Sequence, residues 1–169
     1  MKMVGSIFVT SSDGLRLHAR CFGSRATASI PVVCLPGLAR TAADFDALAT
    51  ALTSDSSMSR RVIALDYRGR GRSQYDRNPA NYSIPVELAD VIAVVTALEA
   101  LPAIFVGTSR GGILTMLLAA ARPSTIAGVI LNDIGPAIEP QGLMRIKSYV
   151  GKLPQPRTFE EGADILHRL

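Results

Sequence analysis

Residues 6–11 and 15–22 alternate apolar and polar positions, the two-residue period of a strand with one face buried. Asp13-Gly14 between them suits the positive φ angles of a tight hairpin turn, so the chain is expected to open with an antiparallel pair. From residue 31 the pattern changes: short continuous apolar runs at 31–35, 62–65, 103–106 and 126–131 alternate with stretches of helical period. Over 41–52, Phe45, Leu48, Ala49 and Leu52 share one helical face behind Thr41 as N-cap. Over 85–98, a proline stands in the first turn and Leu88, Val91, Ile92, Val95 and Leu98 form the apolar stripe. Residues 110–121 are almost wholly apolar and stop before Pro123. All-apolar strands need cover on both sides, so this alternation predicts a parallel sheet between two layers of helix. The fold class is α/β: a mostly parallel sheet with helices on both faces and an N-terminal antiparallel hairpin.

After Asn132-Asp133-Ile134-Gly135-Pro136 the texture shifts to two amphipathic helical stretches, 140–150 and 158–169, separated by Pro154 and Pro156. The expected division is a core over 1–136 and a helical segment over 137–169. Stretches rich in small polar residues at 24–29 and 53–59 read as surface loops. Composition adds little beyond exclusions. With 48% apolar and 19% charged residues in 169, the chain has enough apolar side chain for one packed core. The longest membrane-span candidate, 86–101, is interrupted by Glu87 and Asp90, so no membrane partner is expected. The first ten residues carry one cation and no leader-like apolar core, and read as mature sequence. Cys21 and Cys34 sit in strand-like contexts and read as buried thiols, which suits a reducing cytoplasm. The net charge of +4 is scattered apart from Arg68, Arg70 and Arg72, and no aromatic residues interleave with those three, which argues against a nucleic-acid partner.

Gly107-Thr108-Ser109-Arg110-Gly111 matches G-x-S-x-G at the junction of a predicted strand and helix, where that motif has mechanical meaning. The turn there is so sharp that the serine is strained and side chains two positions away on either side would collide, hence the glycines; Gly112 lets the helix approach the sheet. A serine so placed projects above the C-terminal ends of parallel strands, and the positive end of the following helix favours the charge that develops in acyl transfer. Ser109 is therefore the candidate nucleophile, against the plainer reading of a small residue in an ordinary turn. An oxyanion needs two N–H donors. One is the backbone of Arg110. The other falls in Leu35-Pro36-Gly37-Leu38, where Gly37 permits close approach and leaves the Leu38 N–H as donor.

Val33-Cys34-Leu35-Pro36-Gly37, then Asp66-Tyr67-Arg68-Gly69-Arg70-Gly71-Arg72-Ser73, then residues 107–112, then Leu131-Asn132-Asp133-Ile134-Gly135-Pro136, in that order, resemble the α/β-hydrolase fold superfamily. The likeness is greatest to its cofactor-independent, cap-bearing branch of esterases, lactonases and carbon–carbon bond hydrolases. It implies a small-molecule substrate, no cofactor, an incomplete α/β-hydrolase core over 1–136 and the start of a helical cap over 137–169. It also implies that Asp66, Arg68 and Gly69 brace the loop behind the active site, which makes the arginine cluster structural. Pro36 stands where histidine often precedes the oxyanion-hole glycine.

The triad in this fold follows the order Ser, acid, His, and the resemblance places the base after a final strand that these residues do not contain. His18 reads as a strand residue and His167 as a helix-surface residue. Asp133, from whose position some relatives supply the acid, reads first as a turn-capping aspartate. Without a base Ser109 is a weak nucleophile. The strand at 126–131 would also end the sheet as an apolar edge, and helix 41–52 would lack a packing partner. The expectation is the N-terminal part of a longer hydrolase, or a truncated product inactive alone. It would be completed by the missing C-terminal part of the fold, or would self-associate through the sheet edge. The expected chemistry is acyl transfer on an ester, lactone or carbon–carbon bond. Serine rather than aspartate at the elbow argues against dehalogenase and epoxide-hydrolase chemistry. Arg40 and Arg110 are either holders of an acidic substrate or solvated surface groups. The alternative function is a non-catalytic ligand-binding or scaffold protein on the same fold. Phosphate cradling is disfavoured, because neither glycine-rich phosphate pattern occurs at the first strand-to-helix turn.

Overall fold

A computed structural model of the chain describes residues 5–54, 59–152 and 154–168. Residues 1–4, the middle of the serine-rich loop (55–58) and the last residue of the expected helix 158–169 lie outside the described residues. The hairpin forms from β1 (Gly5–Thr10) and β2 (Arg16–Phe22), with Gly14 at φ +85° in its turn. Then follow β3 (Val32–Leu35), α1 (Asp46–Ser54), β4 (Val62–Leu65), α2 (Ile84–Ala97), β5 (Ala103–Thr108), α3 (Arg110–Ala121) and β6 (Ile126–Asn132). Helices α4 (Pro140–Tyr149) and α5 (Phe159–His167) complete the chain. The six strands make one sheet in the order β1-β2-β4-β3-β5-β6. β4, β3, β5 and β6 run parallel, and β2 joins β4 antiparallel, so the α/β expectation holds with its hairpin at one edge.

Strand alternation sorts the core into two layers. Val33 and Leu35 of β3, Ile63 and Leu65 of β4 and Phe105 of β5 face α2 and α3, where Val91, Val94, Leu98, Leu114 and Leu118 meet them. Val32, Cys34, Val62, Ala64 and Val106 face the other way, onto Ala42, Phe45 and Ala49. Each central strand is thus apolar on both sides because each side is covered, the condition inferred from the sequence.

Two local details differ from the pattern-based expectation. The helix expected from Thr41 begins as a 3-10 turn over Ala42–Phe45, with the Thr41 hydroxyl accepting from the Ala43 N–H, before α1 proper; Leu48 remains exposed. In α2 the expected stripe packs on the core, with Val91, Val95 and Leu98 buried and Leu88 and Ile92 at its margin, but the buried face also takes in Glu87, Asp90 and Val94. The reason is charge pairing, described below. β6 is the end strand of the sheet among the described residues, and Val129 and Ile130 are exposed on it. The chain divides into two compact units, Met1–Gly135 and Pro136–Leu169. No helix among the described residues is long and apolar enough to cross a membrane.

Candidate active site

Ser109 joins β5 to α3 at φ +49°, ψ −110°, outside every region that an L-residue occupies comfortably. The geometry explains the motif's glycines. A Cβ at Gly107 would stand 2.6 Å from the Gly111 carbonyl oxygen, and one at Gly111 would stand 2.1 Å from that of Leu35. Only hydrogen fits at either place. Because Gly111 lets the first turn of α3 sit on the end of β3, the Arg110 backbone comes to the same sheet end as residues 36–38. A Cβ built on Gly37 would lie 3.9 Å from the Ser109 Cβ, which fixes how near that loop runs to the elbow. Ser109 is half-buried and its side chain makes no capping bond to α3, while its N–H is held by the Asn132 carbonyl at 2.9 Å.

The loop at 36–38 is held by three carbonyl bonds. The Tyr67 hydroxyl donates to the Pro36 carbonyl (3.0 Å), the Arg40 N–H to that of Gly37 (3.2 Å), and Arg70 Nε to that of Leu38 (2.6 Å). Burial pushes the Tyr67 phenol well above its usual range, so it remains a donor. With the Gly37 carbonyl turned toward Arg40, the Leu38 N–H in the same planar peptide points the opposite way. Neither it nor the N–H of Arg110, which opens α3, has a partner among the described residues. Two free donors therefore flank the elbow, at the positive end of a twelve-residue helix.

Behind this end of the sheet, the buried Arg68 guanidinium forks onto Asp90 through Nε and Nη2, both 2.7 Å, and its Nη1 reaches Asp76 (2.8 Å) and Asp13 (3.0 Å). Burial pushes the Asp90 carboxyl up and the Arg68 bonds pull it back. On balance Asp90 titrates above its ordinary value, and so does Arg68, which Asp90 holds by hydrogen bonds. Asp66 accepts from the Ala42 and Arg72 N–H groups and meets His18 Nδ1 at 2.7 Å, and His18 Nε2 meets the Ser6 hydroxyl at 3.1 Å.

The structure brings Ser109, Leu38 and Arg110 together. His18 is buried in β2, three strands from β5 in the sheet, or about 14 Å. His167 lies in the other unit, its Nδ1 on the Ala163 carbonyl of its own helix. Asp133 turns the chain at φ +54° directly after β6. Arg40 and Arg110, weighed above as substrate holders, are each on a carboxylate: Arg40 Nε on Asp44 and Arg110 Nε on Glu87, both at 2.6 Å. Arg68, Arg70 and Arg72 are likewise engaged within the fold, the last on the Ser6 hydroxyl. Sequence reasoning missed Tyr67, Arg70 and Glu87. The one signal available was Glu87 itself, an acid on the face continued by Val91, Val94 and Leu98.

A strained serine thus stands between two closely packed glycines, near two unpartnered N–H donors at the end of a parallel sheet. Residues 32–168 match the family model described as "Alpha/beta hydrolase family", and the chain belongs to that family. The 3-hydroxybutyrate-oligomer hydrolase of Cupriavidus necator is 36% identical over 138 residues, which are 82% of this chain and 46% of that protein. An sn-1-specific diacylglycerol lipase of Mus musculus is 33% identical over 110 residues, 64% of this chain and 34% of that one. The crystal structure of an alpha/beta hydrolase from Novosphingobium aromaticivorans aligns with a TM-score of 0.82 and 45% identity, over 90% of this chain and 52% of the other. The chain thus spans about half, or less, of the length of these relatives.

Proposed function

We propose that the protein is a serine hydrolase in which Ser109 Oγ attacks the carbonyl carbon of a small ester, lactone or carbon–carbon substrate. As the Oγ–C bond forms, the carbonyl electron pair moves onto oxygen, where the Leu38 and Arg110 N–H groups receive it. The hydroxyl proton passes to a base, the leaving group departs with a proton, and water resolves the acyl-enzyme. The observation that carries this reading is the backbone of Ser109. A cost of about 1–3 kcal/mol at a non-glycine residue is retained where it serves a side chain, and here it falls on a serine whose neighbouring loop and helix carry two unpartnered donors. That two of the relatives are named a 3-hydroxybutyrate-oligomer hydrolase and a diacylglycerol lipase supports the ester reading.

One observation favours the alternative of a non-catalytic module: His18, a histidine of the same unit, is committed to Asp66 and Ser6. On our reading residues 1–169 alone turn over esters poorly, since Ser109 without a base is a weak nucleophile. The complete gene product is the material for the test. With p-nitrophenyl acetate it is expected to show turnover that Ser109→Ala abolishes. Turnover that survives Ser109→Ala places the chemistry on another residue and overturns this reading, and no turnover at all favours the alternative.

A further inference from the structure

Glu87 has no exposed surface, stands in the first turn of α2 and touches no substrate-facing space, yet both of its oxygens are used. Oε1 accepts from Arg70 Nη1 at 3.2 Å and Oε2 from Arg110 Nε at 2.6 Å. Each arginine continues to one half of the donor pair. Arg70 Nε holds the Leu38 carbonyl and its Nη1 the Arg68 carbonyl, whereas Arg110 carries the second N–H on its own backbone. One carboxylate therefore ties together two segments that are 72 residues apart in sequence (38 and 110) and otherwise belong to different strand ends. A core position filled by an acid facing two guanidinium groups is a costly way to fill space, since an apolar side chain there would pack with α2's stripe. The arrangement has a purpose if the two N–H groups must keep a fixed separation.

We propose that Glu87 is a positioning residue that sets the spacing of the Leu38 and Arg110 N–H groups through Arg70 and the Arg110 side chain. This rests on the reading of Ser109 given above. Donors aimed at a developing oxyanion act on the transition state more than on bound substrate, so their displacement lowers kcat and leaves KM near its starting value. Glu87→Gln keeps the shape but removes the charge that holds both guanidinium groups, loosening both tethers.

The test is steady-state kinetics of the complete gene product on p-nitrophenyl acetate, with thermal melting alongside. Glu87→Gln is expected to lower kcat by about 10- to 100-fold with KM changed less than about twofold. Arg70→Met is expected to lower kcat in the same sense, and the double variant to be no slower than Glu87→Gln alone within about threefold, because Arg70 sets the spacing only through the Glu87 carboxylate. A Glu87→Gln protein that melts lower but keeps its kcat assigns the carboxylate to stability only and overturns the proposal, as does a double variant whose losses multiply. If Glu87→Gln does not fold, Arg70→Met decides: unchanged kcat overturns the tether. A parent protein with no Ser109-dependent turnover removes the reading of the site itself, whereas Ser109-dependent turnover with an indifferent Glu87 removes this inference alone.

Discussion

Replacing Ser109 by glycine should make the protein more stable than replacing it by alanine, although both remove the hydroxyl. At φ +49° and ψ −110° any residue with a Cβ is strained, by about 1–3 kcal/mol, whereas glycine reaches this conformation freely. Against that gain stands the greater freedom of glycine in the unfolded chain, about 0.5–1 kcal/mol. Taking the middle of each range, Ser109→Gly should exceed Ser109→Ala by about 1 kcal/mol, or roughly 2–4 °C in Tm for a domain of this size. The hydroxyl makes no capping bond, so Ser109→Ala should melt close to the parent. Near-UV circular dichroism is a suitable probe, since buried Tyr67 belongs to the same unit as the elbow. A glycine variant that melts at or below the alanine variant would refute the claim that the elbow stores strain, and with it the argument that the backbone is bent for the sake of the side chain.

Arg68→Met leaves Asp90 buried without its fork of hydrogen bonds and should destabilise the fold by about 3–5 kcal/mol, seen as a fall in Tm of about 10 °C; a change of only one or two degrees would contradict the burial described. Asp13 is held at about pKa 2, first by the Ser11 hydroxyl and then by Arg68, against an ordinary 3.8. Its folded pKa is the lower one, so its contribution is complete above about pH 4 and disappears as pH falls from about 4 to 2; the urea midpoint of Asp13→Asn should therefore fall less than the parent's over that window. Burial pushes the Cys34 thiol up to about 12, so iodoacetamide at pH 8 should modify Cys34 only at the rate of unfolding, with urea accelerating it; rapid labelling of the native protein would place Cys34 at the surface.

The elements and the elbow were legible because their causes are local. The period of apolar residues, the Asp13-Gly14 turn and the Gly107–Ser109–Gly111 spacing each encode a backbone requirement that a few neighbouring residues satisfy or violate. The braces were not legible, because they join segments far apart in sequence. Tyr67 finds the Pro36 carbonyl 31 residues away, and Arg110 finds Glu87 at a separation of 23. The inward face of α2 was only partly legible for the same reason. In the sequence Glu87 and Asp90 stood only as interruptions of an apolar run, and their burial follows from pairing with Arg70, Arg110 and Arg68. His18 read correctly as a strand residue, but its bond to Asp66 spans 48 positions and carries no trace in either local pattern.

The most direct measurement is the mass of the peptide that carries residue 109 after the complete gene product is treated with a fluorophosphonate. An adduct on Ser109, formed faster in native than in denatured protein, is the outcome this account predicts. A native protein that remains unmodified at Ser109, or that takes up the label on another serine at the same rate, would contradict it.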